Sequence, residues 1–455
     1  MYATAASAGW IICTVTVLVT LLAIQPNCPA QQSDNAFSWS EDLFPILPWD
    51  PQHGFKGPKV DPEEGLESIA ECGFTMAGFV LARDLPTCEA LGLKAIMFPD
   101  VENASAWTRQ WRGLSDEEID ERVRTYVEQS GQSDAIMGYY IVDEPGARDF
   151  EALGKAVAAV RKYAPGKLAY INLFPNYATV GAPDTSQLGT DTYMEHLKRF
   201  VDEVKPQLVS YDNYMTQVSR DMTEEKATAR YYTNLIDIRK IALDNGLPFW
   251  NIVSCNQIRA YTTVPSPANL LLQAYTTLAA GGTGVSWYKY YSSGYGYAPI
   301  DPNGNRTPSW QYLQMVNQQL KVIGPMMNSL TSTGVYFTVP EPPGKLPRLP
   351  GKLVKQVGVE TPVMVGEFSS PDGADYVMVV NLSLQQSACL QIDTAKEYSK
   401  RAFASPASGQ WIALDDHNSL AMPGSFKKAT KPGEADHRNG LWLAAGQGFL
   451  LRLEQ

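Results

Sequence analysis

Short apolar runs alternate with amphipathic stretches from Phe44 to Tyr290. Compact runs rich in β-branched and aromatic residues read as strands, and apolar residues recurring every three or four positions read as helices. Strands are predicted at Phe44–Trp49, Thr75–Val80, Lys94–Phe98, Ile136–Val142, Leu168–Leu173, Leu208–Tyr211, Phe249–Val253 and Gly284–Tyr288. Helices are predicted between them at Glu63–Cys72, Pro86–Leu91, Ser115 to about Gln129, Phe150–Tyr163, Thr192–Val204, Ala227–Asn245 and Pro267–Ala280. A closing helix follows at Trp310–Asn328. Ser115-Asp116-Glu117-Glu118 has the form of a capping box, and Gly246 that of a helix stop. Pro45 and Pro48 make the first strand the least regular of the set.

Eight βα units in series place the chain in the α/β class, as a (β/α)8 TIM barrel over residues 40–330. A doubly wound open sheet is the alternative, but it needs a glycine-rich turn between its first strand and helix. The nearest glycine cluster, Gly281-Gly282-Thr283-Gly284, follows a helix instead. Residues 339–352 are proline-rich and are expected to form a linker or edge loop. Beyond them, Val363–Phe368, Tyr376–Leu382, Ala388–Ile392, Gly409–Leu414 and Gly448–Leu453 read as strands of a small antiparallel β-sandwich over residues 353–455.

Composition narrows the partners. The net charge of −11 comes with no block of lysines or arginines, so nucleic acid and anionic membranes are poor partners. Residues 1–33 carry no charged side chain, and Trp10–Ile24 is an apolar run of signal-peptide length. Small residues up to Ala30 suit cleavage, so residues 1–30 are expected to direct export to the periplasm or exterior. An uncleaved anchor is the alternative, because the stretch lacks the usual Lys or Arg. No second run approaches the length of a membrane span. Cys72, Cys88, Cys255 and Cys389 show no C-x-x-C spacing and no clustering with histidine. Cys72 precedes a strand and Cys88 follows it, at opposite ends of a barrel, so all four are expected to be buried thiols. Only four histidines are present, which argues against a zinc site or a Ser-His-Asp triad.

The chemistry concentrates at strand ends. Gly138-Tyr139-Tyr140-Ile141-Val142 runs into Asp143-Glu144-Pro145, two acids at the tip of a strand that a proline terminates. In a parallel barrel the C-terminal strand ends surround one pocket. Collected there are Trp49, Asp50, Asn172, Tyr211, Asp212, Asn213, Tyr214, Asn251, Trp287 and Lys289. Acids and amides suit sugar hydroxyls, and aromatic faces suit the C–H face of a sugar ring. A glycosidase also needs a protonated carboxyl at the leaving oxygen. Glu144 is the candidate acid, since the adjacent Asp143 opposes its ionisation. Asp143 or Asp212 is the second carboxylate. No phosphate cradle or nicotinamide motif occurs, so no cofactor is expected. Each residue has a plainer role open to it: Asp143 as a helix cap, Asp212 as a loop hydrogen-bonder, Trp287 as a core aromatic, Asn172 and Asn251 as strand-end hydrogen-bonders, and Trp49 as rim packing.

The barrel region resembles glycoside hydrolases of the retaining clan that includes the family 42 β-galactosidases. Glu144 ends the fourth strand, where that clan keeps its acid/base glutamate, and Trp287 ends the eighth, where it often keeps a tryptophan. Leu272–Gly282 is similar to the helix before the eighth strand in that clan. The clan's nucleophile ends strand seven, but here that end reads Asn251-Ile252-Val253-Ser254-Cys255-Asn256, without a carboxylate. The Asp143-Glu144 pair is similar to the Asp-Glu pair of hexosaminidase families 20 and 123. There the substrate's own acetamido group attacks, the aspartate orients it, and the glutamate is the acid. Tyr211-Asp212 is similar to the Tyr-Asp of chitinase-like barrels. These resemblances imply an exported glycosidase acting on a carbohydrate. A non-catalytic carbohydrate-binding barrel and an anchored cell-surface protein are the alternatives.

Overall fold

The computed structural model describes residues 37, 39–49, 62–292, 294–414 and 441–455. Asp50 and the Trp10–Ala30 stretch lie outside the described residues. The first half of the chain alternates strand and helix: β1 (Ile46–Pro48), α1 (Pro62–Glu71), β2 (Met76–Val80), α2 (Leu85–Ala90), β3 (Lys94–Met97), α3 (Ala104–Arg109), α4 (Asp116–Ser130) and β4 (Ile136–Asp143). It continues through α5 (Phe150–Tyr163), β5 (Leu168–Leu173), α6 (Tyr193–Arg199), β6 (Val209–Asp212), α7 (Ala229–Asp244), β7 (Phe249–Ser254), α8 (Pro267–Ala279), β8 (Gly284–Tyr288) and α9 (Pro308–Asn328).

All eight strands are parallel, in the order β1-β8-β7-β6-β5-β4-β3-β2. The ring closes where Thr75 N–H donates to the Ile46 carbonyl (3.2 Å) and Ile46 N–H donates to Thr75 Oγ1 (2.8 Å). The expected barrel is therefore present. The capping box of α4 also forms: Glu118 N–H donates to Ser115 Oγ at 3.2 Å and Ser115 N–H to Glu118 Oε2 at 2.7 Å. Side chains alternate between two layers. Leu47, Phe79, Ile96, Tyr140, Tyr170, Trp250 and Ile252 fill the barrel interior. Ile46, Val80, Met97, Tyr139, Ile141, Tyr211 and Trp287 face the surrounding helices. Each buried ring removes about 150–250 Å² from water, worth roughly 4–6 kcal/mol before ordering entropy is charged against it. Trp39 packs on Trp250 with ring centroids 6.0 Å apart, adding a residue from before β1 to the interior cluster.

The second half is all β: β9 (Thr331–Phe337), β10 (Val354–Gly358), β11 (Val363–Ser369), β12 (Asp375–Asn381), β13 (Ala388–Thr394), β14 (Lys400–Ala404), β15 (Trp411–Ala413), β16 (Leu441–Leu443) and β17 (Gly448–Glu454). A six-stranded sheet, β15-β14-β17-β12-β11-β9, faces a three-stranded one, β10-β13-β16. Val365, Val377, Val379, Leu390, Phe403 and Leu451 fill the space between, as in a sandwich. The proline-rich stretch is not a linker between the two parts. It follows β9, which already pairs with β11, and it is tied back by Phe337 N–H to the Pro347 carbonyl (2.8 Å) and Leu349 N–H to the Phe337 carbonyl (3.1 Å). Proline abundance here marks an edge loop, held further by Gly351 N–H donating to the Val354 carbonyl (2.8 Å) and Lys352 N–H to Glu367 Oε2 (2.9 Å). The six-stranded sheet lies against α8, so closely that a Cβ at Gly366 would collide with the Ala279 carbonyl. Helix α8 is thus covered on both sides, which explains its Leu270-Leu271-Leu272 run. Cys72, Cys88, Cys255 and Cys389 are buried and form no disulfide among the described residues.

Candidate active site

Strand β4 carries Asp143 to the C-terminal mouth of the barrel, and Glu144 follows in a left-handed conformation (φ 49°). A non-glycine residue there costs on the order of 1–3 kcal/mol. The turn is held by Glu144 N–H donating to the Asn172 carbonyl on β5 (2.8 Å), and Pro145 ends the pairing. Asn172 stands opposite Asp143 on one side and Ser210 on the other. Its Nδ2 donates to Asp143 Oδ1 (2.9 Å) and to Asp212 Oδ1 on β6 (3.1 Å). Its Oδ1 accepts from Ser210 Oγ (3.1 Å), which pairs with Tyr170 OH (2.9 Å) in the barrel interior. That acceptor contact fixes which way the amide points, so its donors must face the carboxylates.

Glu144 and Asp212 lie close enough to act on each other's ionisation. Burial, then the Asp143 charge, pushes the Glu144 carboxyl up to about 7 from an ordinary 4.5. Asp212, fully buried beneath it, is raised well above the carboxylate range by burial and then by the charges of Glu144 and Asp143. Burial raises Asp143 to about 6, against the opposing pull of the Asn172 bond and the Arg109 guanidinium. Three carboxyls therefore sit together, and burial and their like charges oppose full ionisation of the group.

Two cavities meet at this cluster. The inner one, about 220 Å³, is lined by Trp49, Phe79, Tyr140, Asp143, Tyr288 and Lys289. The outer one, about 660 Å³, is lined by Asp143, Glu144, Arg109, Arg148 and Phe174 among others. Asp143 and Arg109 belong to both. A larger cavity of about 840 Å³ opens at the other end of β4, around Ile136, Tyr163 and Lys167. None of the three carboxyls lines it.

The structure gathers Glu144, Asp143, Asp212, Asn172, Trp49, Tyr214 and Lys289 and separates the rest. Trp49 meets Phe79 edge-on at 4.8 Å on the wall of the inner cavity. Tyr214 lies near-parallel to Tyr288, centroids 4.9 Å apart at 33°. Trp287 is not a pocket residue: its Nε1–H donates to Asn317 Oδ1 (2.9 Å) on α9, outside the barrel. Asn251 likewise points outward, Nδ2 donating to Thr277 Oγ1 (2.9 Å) on α8. Tyr211 faces the helices too, fully buried, with its hydroxyl making no hydrogen bond. Asn213 braces its loop on α7, donating to the Arg230 carbonyl (3.2 Å) and Asn234 Oδ1 (3.0 Å). The common reason is parity. Successive strand residues face opposite ways, so Trp250, Ile252 and Tyr288 point in while Asn251, Val253 and Trp287 point out.

Four contributors escaped the sequence reading. Arg109 ends the short helix α3, in a segment without helical periodicity. Tyr177, whose phenol accepts the Tyr214 N–H (3.2 Å), lies in the field of Asp212 and Glu144. Ser210 and Tyr170 are legible only once the parity of β5 and β6 is known. The end of β7 supplies no carboxylate: Ser254 N–H donates to Gln273 Oε1 (3.0 Å), and the Asn256 carbonyl accepts from Gln217 Nε2 (2.6 Å).

No protein-family profile and no curated protein matches the chain. Solved structures do. A glycoside hydrolase family 5 structure from Bacteroides vulgatus is 12% identical, with a TM-score of 0.53 over 91% of this chain and 90% of its own. Another structure, described as a glycoside hydrolase, is 11% identical with a TM-score of 0.51, over 91% and 93% respectively. The coverage takes in barrel and β domain together, so the chain has the two-part fold that these glycoside hydrolases have.

Proposed function

We propose that the protein is a glycoside hydrolase in which Glu144 is the general acid. The observation that carries this is the place of Glu144, a largely buried carboxyl on the wall of the outer cavity whose burial and neighbouring Asp143 charge hold its proton up towards neutral pH. A glycosidic oxygen in the outer cavity would receive that proton as its C–O bond breaks. The glycoside hydrolases that share the fold support a carbohydrate as the substrate. Asp212 is nearly inaccessible at 3% exposure and lines neither cavity. Its role in this reading is to set the Glu144 proton. Asp143 opens into both cavities and is the group placed to meet the anomeric carbon's neighbourhood, either directing a water or accepting the N–H of a 2-acetamido group.

The absence of a carboxylate from the end of β7 favours a second reading, a carbohydrate-binding barrel without turnover. A screen of chromogenic glycosides, including N-acetylhexosaminides and galactosides, separates the two when run on wild type beside Glu144→Gln. Turnover that the variant abolishes supports the enzyme; sugar binding without turnover in both supports the binding module. The uncharged amino-terminal stretch supports export, and a mature protein starting near Gln31 is the expected result of amino-terminal sequencing. No described helix is long and apolar enough to cross a membrane.

A further inference from the structure

Three arginines, Arg109, Arg112 and Arg148, line the outer cavity, and none of them makes a hydrogen bond among the described residues. Among the described residues Arg109 makes no ion pair, although it acts on Asp143 and Glu144 through its charge. Arg112 and Arg148 share one carboxylate, Asp149, at 3.7 and 3.9 Å, and Arg148 also faces Asp184 at 3.6 Å. These separations exceed hydrogen-bond length. Asp184 is 83% exposed, so its pairing is screened by water and easily exchanged. Each guanidinium presents five N–H donors in a fixed fork that matches a carboxylate or sulfate. By contrast Arg124 and Arg199, on helix surfaces, each hold a glutamate at hydrogen-bond distance.

The position of the group matters as much as its charge. Arg109 stands where the two cavities join, beside the carboxyl proposed to protonate the leaving oxygen. A neutral sugar would leave the three forks hydrated and gain little from them. A sugar carrying an anion would satisfy them, and would otherwise be repelled by Asp143. We infer that the outer cavity is a subsite for an anionic sugar residue, bearing a carboxylate or a sulfate ester, with Arg109 as its primary ligand and Arg148 behind it. This rests on the glycoside hydrolase reading for the identity of the ligand as a sugar.

The test is a binding measurement, so that it stands apart from turnover. Glu144→Gln protein is titrated with D-glucuronate, D-galacturonate, the 6-sulfates of glucose and galactose, and the two parent hexoses, by calorimetry at low salt. Each is a free reducing sugar and offers both anomers. At least one anionic sugar should bind about tenfold or more tighter than its parent hexose, the difference made by one charge-assisted contact. Adding Arg109→Gln, on an exposed side chain, should collapse that ratio towards one, and Arg148→Gln should reduce it partway. Preference for the uronates alone assigns a carboxylate, and for the sulfates alone a sulfate ester. Equal affinity for charged and neutral sugars, or a preference untouched by Arg109→Gln, overturns the subsite. A wild type without turnover of any glycoside, with the anionic preference intact, would instead remove the catalytic reading and leave the subsite standing.

Discussion

Glu144 and Asp212 act on each other's ionisation although their strands are not neighbours; β5 runs between β4 and β6. The charge on Glu144 helps to hold the buried Asp212 carboxyl well above the carboxylate range. The intervening strand supplies Asn172, which ties Asp212 to Asp143 from below and keeps the three acids in register.

Replacing Glu144 by Gln keeps the shape and the left-handed turn but removes the transferable proton. On glycosides with sugar leaving groups kcat/KM should fall by about 10²–10⁴-fold, the usual worth of general acid catalysis. Activated aryl glycosides, which need less protonation, should lose less. Turnover of a natural glycoside at the wild-type rate would take Glu144 out of the mechanism.

The same pair makes stability depend on pH. In the folded protein Glu144 is raised from 4.5 to about 7, so between those values the native state holds a proton that the unfolded chain has released. Stability therefore declines as pH climbs from about 4.5 through about 7, and the penalty is complete above that. Glu144→Gln should raise the unfolding free energy by roughly 1–3 kcal/mol at pH 8 and leave it little changed at pH 4. Urea titrations at the two pH values provide the comparison, and an equal effect at both would contradict the raised Glu144 carboxyl.

Asn172→Ala removes one donor from both Asp143 and Asp212. The Asp143 carboxyl, now at about 6, should rise further, moving the acid limb of the kcat/KM profile to higher pH. Stability should fall by about 1–3 kcal/mol, since Ser210 and both acids lose a buried partner. If the variant lost stability but kept the wild-type pH profile, Asn172 would be structural only.

Trp287 and Tyr288 are adjacent but face opposite ways, so their variants should separate cleanly. Trp287→Phe gives up the bond to Asn317 and some buried volume, and should cost about 1–3 kcal/mol of stability with KM unchanged. Tyr288→Ala removes part of the inner cavity wall and should raise KM. Steady-state kinetics on both, with thermal melts, would expose a wrong assignment of the two faces.

Asp143 bears on the choice of attacking group. If it accepts the N–H of a 2-acetamido group that attacks the anomeric carbon, activity should require that group, and a thiazoline analogue should inhibit competitively. Efficient cleavage of a plain galactoside or glucoside, with no gain from the acetamido group, would leave Asp143 directing a water instead. Proton NMR of the first-formed anomer distinguishes these, since substrate assistance retains configuration and direct attack by water inverts it.

The barrel was legible in the sequence because its signals are local. The predicted bounds of Phe150–Tyr163, Leu168–Leu173 and Gly284–Tyr288 coincide with α5, β5 and β8, where apolar periodicity and glycine or proline stops agree. Asp143-Glu144 was legible too, since a tyrosine-rich strand ending in two acids and a proline is a local pattern. Which side each strand-end residue faces was not. Barrel strands are apolar on both faces, so Trp250-Asn251-Ile252 and Ser286-Trp287-Tyr288 carry no alternation to fix parity, and a one-residue offset exchanges the inside for the outside. Arg109 lines both cavities from the short helix α3, and Asn172 joins Asp143 to Asp212, residues far apart in the chain. Both are products of ring closure. Local chemistry determined that acids would stand at the mouth of a barrel; only the closed sheet decided which of them lie together.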